Sequence, residues 1–118
     1  MKVFNRDIFA TGLHLGDQKT VTAVAGAATK NGRQVIVTSE ALVTAAGATY
    51  TLTLTNAAVS ASSIVLATVG YGTSTAGTPC VTRITPAAGS VAIVIQNIHA
   101  ANALNGTIKI RVIVIDNK

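Results

Sequence analysis

Residues 106–116, Gly-Thr-Ile-Lys-Ile-Arg-Val-Ile-Val-Ile-Asp, constrain the fold more than any other stretch of this chain. At the period of two that a strand imposes, Ile108, Ile110, Val112 and Val114 share one face, while Lys109, Arg111, Ile113 and Ile115 share the other. The first row is apolar throughout and asks for a core. The second changes along its length, from two cations to two isoleucines. If a small domain has one core and the first row fills it, Ile113 and Ile115 need a second covering layer. An arm of the same chain or another subunit can provide it. Such a strand suits a component of an assembly.

Composition points the same way by what it leaves out. A chain of 118 residues fits one domain, able to remove roughly two thirds of its unfolded surface from water without disulfides or metals. Hydrophobic residues reach 49%, yet there is no Trp and only two Tyr and two Phe, so the core must be thin and aliphatic. Charged residues make up 11%, less than half of the usual share of about 25%, which leaves little material for polar chemistry.

The formal charge is nevertheless +5, which favours acidic partners. A nucleic-acid reader would cluster its cations and add stacking aromatics. Here Lys2, Arg6, Lys19, Lys30, Arg33, Arg83, Lys109, Arg111 and Lys118 are scattered, so specific nucleic-acid binding is not expected and an acidic protein surface fits better. Cys80 is the only cysteine, which excludes an intramolecular disulfide, and its place at the start of Cys-Val-Thr-Arg-Ile predicts a small core residue. The start Met-Lys-Val-Phe-Asn-Arg-Asp carries charges where a signal peptide needs an apolar stretch, and no apolar run approaches membrane-spanning length. A soluble product made in the cytoplasm, with no membrane partner, is the expectation.

Two regions follow one another. Residues 1–18 hold both phenylalanines, Phe4 and Phe9, with Lys2, Arg6, Asp7, His14 and Asp17, and read as an extended N-terminal arm. Residues 19–118 read as an all-β domain, an antiparallel β-sandwich of about seven strands, Ig-like or jelly-roll-like. The expected strands run from Lys19 to Ala25, Gln34 to Thr38, Ala48 to Thr55, Ser63 to Val69, Cys80 to Thr85, Ser90 to Asn97 and Thr107 to Asp116. Alternation is clearest at residues 48–55, where Tyr50, Leu52 and Leu54 face inward and threonines face out. Asn31-Gly32 and Asn105-Gly106 are turn signals, and Pro86-Ala87-Ala88-Gly89 predicts a hairpin from Cys80 to Asn97. The polar, glycine-rich stretch from Gly70 to Pro79 reads first as a connection between sheets, and Tyr71 is its one candidate contact residue.

Catalytic patterns are missing from the sequence. His14 and His99 belong to no metal-spaced cluster, Glu40 and Asp116 form no paired-carboxylate motif, and Gly70-Tyr71-Gly72 lacks the Gly-Lys-Ser/Thr of a phosphate loop. Cys80 and His99 flank one predicted hairpin, but a thiol on a core strand lacks the electropositive, partly exposed setting that activates a thiolate. No catalytic, cofactor-binding or metal-binding residue is expected, and the chain reads as non-enzymatic.

Residues 39–56, Ser-Glu-Ala-Leu-Val-Thr-Ala-Ala-Gly-Ala-Thr-Tyr-Thr-Leu-Thr-Leu-Thr-Asn, resemble a module that recurs in virion structural proteins of tailed bacteriophages. Residues 89–110 resemble the end of the same module, so the likeness spans residues 35–115 roughly and leaves 1–34 outside. The resemblance implies a capsid decoration or cement protein, a homotrimer on the outer surface of the head with the major capsid protein as its partner. It brings no catalytic residues. A tail spike, tail fibre or head-fibre component with a receptor- or glycan-binding role is the alternative, with Tyr50, Tyr71 and the polar group of Asn97, His99 and Asn102 as its candidate contacts. On the cement reading, Phe4, Arg6 and Phe9 of the arm join Ile113 and Ile115 as the expected capsid or subunit contacts.

Overall fold

The computed structural model describes residues 17–115. These contain β1 (Lys19–Thr22), β2 (Ala27–Thr29), β3 (Gln34–Thr38), β4 (Leu42–Thr44), β5 (Thr49–Thr55), β6 (Ile64–Tyr71), β7 (Pro79–Ala87), β8 (Ser90–Asn97), β9 (Leu104–Gly106) and β10 (Ile108–Ile115). One four-stranded sheet has the order β1-β3-β10-β6 and a second the order β2-β5-β8-β7; β4 and β9 form a two-stranded ribbon. The domain is therefore all-β. The strands not foreseen from alternation, β2, β4 and β9, have three residues each, too few for a period of two to stand out.

The sheets are mixed, which corrects the expectation of a wholly antiparallel arrangement. β1 runs parallel to β3 and β2 runs parallel to β5, while the other pairs are antiparallel. The cause lies in the path of the chain. After β1 it reverses at Ala25-Gly26 and enters the other sheet as β2. Asn31-Gly32 then returns it to the first sheet, so that β3 lies beside β1 in the same direction.

Inward-facing rows of both sheets supply one aliphatic core. Val35, Val37, Ile108, Ile110, Val112 and Val114 come from the first sheet, and Leu52, Leu54, Val91, Ile93 and Ile95 from the second, all fully buried. β-branched side chains hold few rotamers and suit the pleat, and each fully buried Val, Leu or Ile contributes about 1.5–3 kcal/mol. β5 follows the predicted alternation: Leu52 and Leu54 are buried, Tyr50 is half-buried against the core, and its threonines are exposed.

Cys80 departs from its expected place in the core and is only partly buried. The reason is the position of β7, an edge strand that begins at Pro79, contains Pro86 and is irregular between Val81 and Arg83. Prolines and a bulge are tolerated where a strand has one neighbour, and they blunt its free edge. The expected hairpin is present, with β7 and β8 paired from Pro79 and Asn97 to Ala87 and Ser90.

Candidate interaction surface

β10 is an inner strand of its sheet, between β3 and β6, so its outward row stands on a supported surface. That row reads Lys109, Arg111, Ile113 and Ile115 along the strand. The cations are exposed and the isoleucines are partly exposed. The register adds two residues that alternation on β10 alone did not reveal: Leu66 lies opposite Ile113 and Ile64 lies opposite Ile115. Ile64 and Leu66 are 49% and 51% exposed, so the four side chains form an apolar block that no described element covers. The signal for these two was in the sequence, because Ile64-Val65-Leu66 is apolar on both faces at the start of β6, as the end of β10 is.

Towards the other end of the face the chemistry changes. Lys109 lies between Thr38 and Gly70, and Arg111 between Ile36 and Thr68, so no carboxylate is a cross-strand neighbour of either cation. A shallow depression of about 230 Å³ opens there, lined by Ile36, Thr68, Gly70, Tyr71, Lys109 and Arg111. Tyr71 is 55% exposed, and its hydroxyl donates to the Gly77 carbonyl at 3.1 Å. One outer face thus presents an apolar half and a cationic half on a single sheet.

The stretch after Tyr71 crosses from β6 in one sheet to β7 in the other, and it is held down. Asn105 Oδ1 accepts from the backbone N–H groups of Thr75 and Ala76, both at 2.9 Å, and Asn105 Nδ2 donates to Thr75 Oγ1 at 3.0 Å. Thr107 Oγ1 accepts from the Thr73 N–H at 2.9 Å. Asn105-Gly106 closes β9 and leads into β10 with a positive φ of 64° at Gly106, as its turn signal anticipated, and Asn105 in addition anchors this loop.

The polar group around Asn97 is likewise committed to the backbone. Asn97 is fully buried; its Nδ2 donates to the carbonyls of Thr44 and Asn102, and its Oδ1 accepts from the N–H groups of Thr78 and His99. His99 Nδ1 accepts from the N–H groups of Ala101 and Asn102 at 3.0 and 2.9 Å. No hydrogen bond links Cys80 and His99. Among the described residues no group of three or more His, Cys, Asp and Glu side chains is placed to hold a metal ion.

Tyr50, half-buried, donates its hydroxyl hydrogen to Glu40 Oε1 at 2.8 Å, a pairing that the sequence did not suggest. Burial first, and then the hydrogen bond and charge of Glu40, push the Tyr50 phenol well above its ordinary range. Phe4, Arg6 and Phe9, the arm residues expected to make contacts, lie outside the described residues. Compared with known proteins, the chain matches no family model, no curated protein and no solved structure.

Proposed function

We propose that this chain is a non-enzymatic structural protein of a bacteriophage virion, a capsid decoration or cement protein that binds the outer head surface as a homotrimer and stabilises the shell. The observation that carries this reading is the open outer face of β10 and β6. Its apolar block of Ile64, Leu66, Ile113 and Ile115 offers buried area to a partner, and Lys109 with Arg111 offers charge to an acidic one. On this reading the two mixed sheets form a β-sandwich of Ig-like or jelly-roll kind. Ile113 and Ile115 meet the shell or a neighbouring subunit, and Phe4, Arg6 and Phe9 of the arm add to that contact.

The resemblance of residues 39–56 and 89–110 to a virion module supplies the setting, and the face supplies the means. A spike or fibre tip that binds glycans fits less well. The Asn97 amide spends its donors and acceptors on backbone groups, and the Tyr50 phenol is tied to Glu40, so neither is presented for stacking or for a sugar hydroxyl. Pelleting the purified protein with undecorated and mature phage heads tests the proposal. Saturable binding at a fixed ratio to heads is expected, with a trimer in sedimentation equilibrium. A chain that stays in the supernatant, or is found on tails, overturns it.

A further inference from the structure

We propose that, in the free protein, residues 1–16 of the same chain cover the apolar half of this face, seated on Ile64, Leu66, Ile113 and Ile115. This deepens the docking reading by naming what masks the surface beforehand, yet it stands whether or not the partner is a phage head.

The point where this segment joins the body carries the inference. Gln34 Nε2 donates to Gln18 Oε1 at 3.2 Å, which sets Gln18 beside Gln34 at the start of β1. Gln34 is paired with Ile113, and Ile113 with Leu66. Gln18, Gln34, Ile113 and Leu66 thus make one row across the sheet. At about 4.8 Å per strand, the apolar block begins about 10 Å from Gln18 and reaches Leu66 at about 14 Å. Sixteen residues can extend to about 50 Å, so the tether has length to spare. A segment tethered this close acts at an effective concentration far above that of a second copy in dilute solution.

The composition of the segment matches the block. Val3, Phe4, Ile8, Phe9, Leu13 and Leu15 give six large apolar side chains in sixteen residues. Its charges also choose between the two halves: Lys2 and Arg6 outnumber Asp7, so the segment is repelled from Lys109 and Arg111 and directed to the uncharged end. A second copy stacked face to face would instead bring cations into an interface that offers no carboxylate from this face.

The test uses the full chain with Cys80→Ser as background. Leu66→Cys places a thiol in the block, and Val43→Cys, on the 90% exposed Val43 of the β4–β9 ribbon, serves as the control. Maleimide labelling is followed at low micromolar protein, with the segment intact and with Phe4→Ser/Phe9→Ser. The intact segment should slow labelling at position 66 at least tenfold relative to the double variant, leave position 43 unchanged, and do so independently of protein concentration. Equal rates at position 66 overturn the proposal. Protection that rises with protein concentration assigns the cover to a second copy and overturns it as well. Circular dichroism of each variant shows that the rates are read on folded protein.

Discussion

Gln18 and Gln34 join through their side chains at 3.2 Å in the same cross-strand row as Ile113 and Leu66, so the chain leaves its N-terminal segment at the apolar end of the outer face. The two faces of β10 therefore have different tasks, and substitution separates them. Ile110→Ala empties a fully buried site and should cost about 2–5 kcal/mol in urea unfolding, whereas Ile113→Ala, on the outer face, should cost under about 1 kcal/mol. Equal losses would mean that the outer row is core.

Asn97 holds the end of β8 to the ends of β4 and the loop before β7. Asn97→Ala leaves buried carbonyl and N–H groups without partners, so a loss of about 3 kcal/mol is expected, read as a large fall in the thermal midpoint. Asn97→Asp should also destabilise, because a carboxylate cannot donate to the carbonyls of Thr44 and Asn102.

Much of the architecture was legible because the core strands alternate cleanly. Val91, Ile93 and Ile95, or Ile108 to Val114 in steps of two, leave no choice of face. What stayed hidden depends on contacts across the chain. The parallel pairing of β1 with β3 follows from a change of sheet that Lys19-Thr20-Val21-Thr22 does not encode. Asn97 reads as the beginning of a polar turn, and only the fold shows it buried at a junction of three segments. The candidate surface was half visible: Ile113 and Ile115 announced themselves, while Ile64 and Leu66 needed the register with β6.

The Tyr50–Glu40 pair predicts a loss of stability in alkali. The folded state holds the phenolic proton more tightly than the unfolded chain, whose tyrosine ionises near 10. Its contribution is therefore complete below about pH 10 and is lost as pH rises above that value. Relative to Tyr50→Phe, the parent should lose stability as pH rises above about 10, and the substitution should cost about 1 kcal/mol near neutrality for the lost hydrogen bond. A parent and variant with parallel curves between about pH 10 and 12 would refute this.

The turn between β1 and β2 carries correctable strain. Ala25 has φ 51° and Gly26 φ 78°, the conformation of a two-residue turn that favours Asn-Gly. Ala25→Asn should raise stability by about 0.5–1 kcal/mol. Gly26→Ala should lower it, since the added Cβ would stand 2.7 Å from the Thr51 carbonyl oxygen. Chemical denaturation of the two variants checks both signs.

On the proposed function, the outer face of β10 and β6 docks this protein onto a phage head. The most direct measurement compares the full chain with Ile113→Glu and Arg111→Glu in pelleting with undecorated heads at two salt concentrations. Saturable binding by the parent that weakens with salt is expected, with at least a tenfold loss for each variant with its fold intact, because one removes apolar contact and the other reverses a charge. Parent and variants that bind alike, or a parent that does not bind at all, would contradict it.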